Sequence, residues 1–225
     1  MRVLIGPGAA GEPDLDAAYA VPRLPWLRVN MISTLDGAAT GADGRSGSIN
    51  NAADHQVFAT LRRLADAILV GAGTARAERY GPADRPIVVV SRRGEVPPTL
   101  RDADPGRVLL ATCGAAPGLT TAREQLGDEH VLVCGQHRVD LPLLRSRLVA
   151  RGWSSLLAEG GPHLLRDLLD QGAADELCAT IVPRLVGGDH ARMTAGPPVD
   201  VPLELTGLLE ADGTLLGRWL VARER

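Results

Sequence analysis

The 225-residue sequence contains no lysine; all 24 of its basic side chains are arginine. That excludes a lysine Schiff base and a P-loop lysine, and with them several classes of enzyme. Cysteine is scarce. Cys113, Cys134 and Cys178 form no CxxC pair and make an odd total, the pattern of reduced thiols and not of a disulfide framework. The five histidines, at 55, 130, 137, 163 and 190, show neither HxxxH nor HExxH spacing, so no metal site is expected. No apolar run approaches the roughly 20 residues of a membrane span, and no apolar segment with a cleavage site follows Met1, so a cytoplasmic protein is expected. A net basic charge is also missing. The formal charge of -3 offers nucleic acid or an anionic membrane no general attraction, so any bound anion must be held by local groups.

What remains is ordinary globular composition, with 45% hydrophobic and 23% charged residues, which predicts a folded domain. Residues 1–25 are rich in glycine, proline and alanine without periodicity and are expected to form an irregular arm. A single domain is expected over residues 26–225. Short apolar runs predict eight strands, at residues 27–32, 67–70, 86–90, 107–111, 130–133, 154–158, 176–182 and 217–221. Three helices are expected between them: one capped by Asn51 and running to Leu64, one from Leu141 to Arg151 stopped by Gly152, and one opened by Pro162 and closed by Gly172. Strand and helix in alternation imply an α/β fold with a mostly parallel sheet covered on both faces. The last stretches, with no helix between them, predict an antiparallel C-terminal edge. Trp153 and Trp219 are assigned to the core.

Four segments at strand ends carry possible chemistry. In Ala158-Glu159-Gly160-Gly161-Pro162, adjacent glycines let backbone amides approach an anion at a helix N-terminus, although a ligand-free tight turn is the alternative. Val70-Gly71-Ala72-Gly73-Thr74, with Glu78 beyond it, serves equally as a cofactor turn or as close helix-to-sheet packing. Ser91-Arg92-Arg93 ends a buried strand with a hydroxyl and two guanidinium groups, which suits a ribose 2′-phosphate and favours NADP over NAD; a solvated arginine pair is the plain alternative. Asn30 through Gly37 ends in Asp-Gly, first of all a turn signal; with the loop from Gly41 to Ser48, one wall and a flexible lid of a site is the alternative reading. Three anion-compatible turns in one sheet suggest a dinucleotide. The absence of a full GxGxxG fingerprint argues against an ordinary Rossmann domain.

These blocks, together with Ala174-Asp175-Glu176-Leu177 and Val182-Pro183-Arg184-Leu185-Val186-Gly187-Gly188, resemble the C-terminal reductase domain of the bacterial riboflavin-biosynthesis deaminase/reductase in stand-alone form, over residues 26–222. The resemblance implies a dihydrofolate-reductase-like three-layer sandwich, a homodimer, and hydride transfer from NADPH to the ribose chain of a ribosylamino-pyrimidine phosphate. The implied activity is that of a 5-amino-6-(5-phosphoribosylamino)uracil reductase. It further implies that Ile32, Thr74, Glu78, Ser91, Arg92, Arg93 and the turn Gly160, Gly161, Pro162, His163, Leu164 and Leu165 hold NADPH. Asn30, Ser46 and Arg62 would face the substrate, with Arg62 toward its phosphate, and Asp36 and Glu159 would be polarising or proton-relay groups. The sequence departs from the family pattern in having Asn30 for a lysine, Ser48 for an aromatic residue and Glu78 for an aspartate. Reduction of another heterocycle such as dihydrofolate, or NADP binding by a non-catalytic regulator, are the competing readings.

Overall fold

The computed structural model describes residues 1–6 and 13–222. In chain order these form β1 (Arg2–Ile5), α1 (Leu15–Ala18), β2 (Trp26–Thr34), α2 (Ala52–Leu64), β3 (Ala67–Gly71), α3 (Ala72–Ala77), β4 (Ile87–Val90) and β5 (Val108–Thr112). There follow α4 (Leu119–Leu126), β6 (Val131–Val133), α5 (Leu141–Ala150), β7 (Ser155–Ala158), α6 (Pro162–Asp170), β8 (Glu176–Val182), β9 (Leu203–Ala211) and β10 (Thr214–Val221). All the strands join one sheet in the order β1-β9-β10-β8-β2-β7-β3-β4-β5-β6. From β8 to β6 the pairings are parallel; β10 on β8, β9 on β10 and β1 on β9 are antiparallel.

Strands that are apolar at every position require cover on both faces, and β2 is buried along its whole length. Side chains alternate across the sheet. Leu27, Val29, Ala67 and Leu69 face a core shared with Leu144 and Leu148 of α5 and Leu165 and Leu168 of α6. On the other face Ile68, Val70, Ile87 and Val89 pack with Ala75 of α3 and Ala122 of α4, and Leu157 and Cys178 pack beneath Val57 and Leu61 of α2. The result is three layers. Trp153 and Trp219 pack, half-buried, against the first core.

The helix starts follow from local chemistry. Asn51 Oδ1 accepts the Asp54 amide at 3.1 Å to open α2, and Asp140 Oδ1 accepts the Leu143 amide at 2.8 Å to open α5. Pro162 takes the first position of α6, where its missing N–H leaves no bond unmade.

The structure corrects the expected arm and the strand count. Residues 1–25 are not an irregular arm throughout, because β1 pairs with β9 and α1 is capped by the Asp14 carboxylate; residues 7–12 lie outside the described residues. Among the described residues ten strands form instead of eight. The two additions are β1, an edge strand of four residues, and β9, which is mixed in polarity because much of it is exposed. α3 and α4 were also not expected: each is short, and neither has a side-chain cap.

Candidate active site

In the sheet order, β2, β7, β3 and β4 are neighbours, so the segments that follow them gather at one carboxyl edge, where open α/β sheets bind ligands. Two glycine turns meet there: the Gly71 amide donates to the Gly160 carbonyl at 2.8 Å. Gly160 cannot readily carry a side chain, and one on Gly161 would displace the Thr74 hydroxyl. Gly160 has φ +78°, and a Cβ on it would come within 2.5 Å of Met31 Sδ; a Cβ on Gly161 would run into the Thr74 hydroxyl. No side chain caps α6, so the amides of its first turn point out unused by a capping group. The Gly160–Gly161 peptide is cis.

A cavity of about 590 Å³ opens beside these turns, within the usual range for small-molecule sites. It brings together Asn30, Ile32, Ser46, Arg62, Thr74, Glu78, Glu159, Gly161 and Pro162 from the expected set. Its centre is a fork. Arg62 Nε and Nη2 donate to the two carboxylate oxygens of Glu159 at 2.5 and 2.7 Å, and the Tyr80 hydroxyl donates to Glu159 Oε2 at 2.7 Å. The guanidinium also lies 4.4 Å from the Phe58 ring centroid. Burial opposes the charge on Arg62, but the hydrogen bond and charge of Glu159 hold it protonated more firmly than usual. Burial, with the Glu159 charge adding to it, pushes the Tyr80 hydroxyl well above its ordinary value.

Several expected residues have different surroundings. Glu159 does not face the cavity as an unpaired polarising group; both of its oxygens are committed to Arg62 and Tyr80. Asp36 is exposed and does not line the cavity. It accepts from the Thr34 hydroxyl and from the Val186 and Gly187 amides, at 3.0 and 2.8 Å, which makes it the clasp of a turn. Those bonds, the Thr34 hydroxyl's first, hold its carboxyl below the usual range. Ser46 and Glu78 bind each other, the Ser46 amide and hydroxyl donating to Glu78 Oε1 at 2.8 and 2.9 Å and tying the lid loop to the end of α3.

The Leu164 and Leu165 side chains are core, the Leu165 amide already donates to the Gly161 carbonyl at 3.0 Å, and His163 is exposed. Ser91 follows β4 and accepts the Glu95 amide at 3.2 Å. Arg93 pairs with Glu95 at 2.9 Å, while the exposed Arg92 makes no ion pair among the described residues. None of Ser91, Arg92 and Arg93 lines the cavity; they follow β4, the strand beside β3.

Sequence reasoning missed Asp54, Phe58 and Tyr80, all of which line the cavity. Asp54 stands at the third position of the helix that Asn51 caps, and Phe58 lies four positions before Arg62 on the same helix, a spacing that puts both on one face.

The arrangement defines a class first: a dihydrofolate-reductase-like α/β fold with a small-molecule cavity at the carboxyl edge of its parallel strands. The profile of the family described as "RibD C-terminal domain" matches residues 25–216, and the chain belongs to that family. A relative from Methanothermobacter thermautotrophicus, named as a 2,5-diamino-6-ribosylamino-4(3H)-pyrimidinone 5′-phosphate reductase, is 35% identical over 179 residues, covering 75% of this chain and 82% of the relative. A pyrimidine reductase-like protein from Corynebacterium diphtheriae superposes with a TM-score of 0.81 at 24% identity, covering 93% of this chain and 99% of that one. Dihydrofolate reductase from Enterococcus faecalis, in complex with NADP(H), superposes with a TM-score of 0.50 at 15% identity over 88% of this chain and 98% of that one.

Proposed function

We propose that this chain is an NADPH-dependent reductase that delivers hydride to the ribose chain of a ribosylamino-pyrimidine phosphate, the reaction type for which its 35%-identical relative is named. The observation that carries the reading is that the turns after the adjacent strands β7 and β3, with residues of β2, line a single cavity, while the Ser91-Arg92-Arg93 turn follows the next strand, β4. The residues present fit the cofactor. Gly160, at φ +78° and packed on Met31, keeps a backbone cradle open, and the uncapped N-terminus of α6 suits a pyrophosphate. Arg92, free of any ion pair among the described residues, suits the 2′-phosphate, with the Ser91 hydroxyl beside it. Ile32, Thr74, Gly161 and Pro162 wall the inner end. When bound, the dinucleotide supplies the hydride.

On the substrate side, Arg62 keeps its Nη1 donors for a ligand while Glu159 fixes the plane of the guanidinium and Phe58 stacks on it. Glu159 is therefore a positioning residue. Orientation and exclusion of water carry the catalysis, since hydride transfer needs no protein nucleophile. The reading includes a cytoplasmic homodimer, supported by three unpaired cysteines and by exposed Leu35, Leu185, Leu203 and Leu205.

Purified protein given NADPH and the diaminopyrimidinone ribosyl phosphate is expected to consume both mole for mole and to yield the ribitylamino product. Consumption with dihydrofolate instead, or with no ribosylaminopyrimidine at all, overturns the reading.

A further inference from the structure

Two side-chain oxygens at this cavity are buried and without a hydrogen-bond partner, Asp54 Oδ1 and Asn30 Oδ1. The residues are 3% and 8% exposed, so water does not readily satisfy them. A buried, unsatisfied acceptor is costly and calls for an explanation, of which a ligand donor is one. Asp54 stands at the third position of α2, where an acidic side chain ordinarily reaches back to the capping residue's amide. Here that amide is already taken: the Asn51 N–H donates to Asn50 Oδ1 at 2.6 Å. The capping role is therefore filled, and Asp54 is left as part of the cavity lining. Burial pushes its carboxyl above the usual range, against hydrogen bonds from Thr180 and Asn50 and the nearby His55.

The charge at the cavity wall narrows the ligand chemistry. Asp54, Glu78 and Glu159 are acidic, and the cation there, Arg62, is already forked to Glu159. A phosphate is repelled from the Asp54 end. A group rich in N–H donors is attracted to it.

We propose that Asp54 reads the 2-amino and N3–H edge of the substrate's pyrimidine ring, and so selects a 2,5-diaminopyrimidinone over the corresponding uracil. This rests on the reductase reading above and assigns which ring the site takes. Two adjacent N–H donors match a carboxylate, whereas uracil sets its 2-carbonyl oxygen against it, acceptor facing acceptor. Asn30 Oδ1 is the second acceptor for the same donor-bearing ring.

The test compares kcat/KM for the two ribosylamino phosphates in the wild type, Asp54→Asn and Asp54→Ala. The wild type is expected to prefer the diaminopyrimidinone by about tenfold to a hundredfold, the range of a hydrogen bond to a charged group. Asp54→Asn, whose amide both donates and accepts, is expected to erase that preference through loss on the diaminopyrimidinone while keeping wild-type NADPH affinity. Asp54→Asn, which keeps the shape of the side chain and an oxygen to accept from Thr180 and Asn50, is expected to melt close to the wild type. A preference unchanged in the variants, or a wild type that favours uracil, overturns the proposal. Should the wild type reduce neither compound, the reductase reading fails by itself, and binding of isocytosine against uracil then decides on Asp54. Isocytosine binding that depends on Asp54 upholds the proposal; equal binding of the two rings, or no isocytosine binding, overturns it.

Discussion

Asp36 and Glu159 occupy the same kind of place in the sequence, each near a strand end with a glycine behind it, and the fold gives them unlike tasks. Asp36 is a surface clasp holding Val186 and Gly187. Asp36→Ala is accordingly expected to lower the melting temperature while leaving kcat and KM unchanged. Loss of activity at an intact melting temperature would return it to a catalytic role. Glu159 instead sets the plane of Arg62, and Asp54 is the carboxylate left with an open oxygen. From sequence alone these three acids could not be ranked. Their difference lies in partners brought from distant positions, such as the Tyr80 hydroxyl, which lies 79 residues from Glu159 along the chain.

At the scale of elements, the glycine turn after β7 is the most constrained feature of the site. Gly160→Ala would force a side chain into a left-handed backbone and against Met31, and is expected to cost about 1–3 kcal/mol in urea unfolding and to abolish NADPH binding. Wild-type stability and affinity in that variant would show that the turn tolerates a Cβ. This turn was legible in the sequence because strand, Gly-Gly and Pro at the first helical position are all local signals. So was α2, whose Asn51 cap and Leu64 end match the expected helix. β1 and β9 were not legible. β1 is only four residues long and β9 is mixed in polarity, and each is set by pairing, β1 on β9 across some two hundred residues, as in Arg2 opposite Glu210, and β9 on β10. The mutual binding of Ser46 and Glu78 was hidden for the same reason, since it depends on the lid loop folding back onto α3.

For the whole molecule, a buried ionic cluster ties together the three adjacent strands β2, β8 and β10. Glu176 accepts from Trp26 Nε1 at 2.8 Å, Arg28 Nε at 2.9 Å and Arg218 Nε at 2.6 Å. Burial alone would raise its carboxyl, but the charges of Arg28 and Arg218 outweigh it and hold the group below its ordinary 4.5. Its contribution to stability is thus fully present above that value and is lost as pH falls through the lower folded one. Acid unfolding monitored by circular dichroism should show this loss. Glu176→Gln should remove that part of the pH dependence and destabilise the protein at neutral pH by about 3–5 kcal/mol, because two guanidinium groups lose their buried partner.

With the sheet fixed in this way, β7, β3 and β4 present their turns side by side, and the central claim is that these turns form one site for NADPH. The direct test is a fluorescence titration of wild type and Arg92→Ala with NADPH and NADH. The account predicts saturable binding of NADPH well ahead of NADH in the wild type, with Arg92→Ala reducing NADPH affinity toward the NADH level. Equal affinity for the two cofactors, or no binding of either, would contradict it.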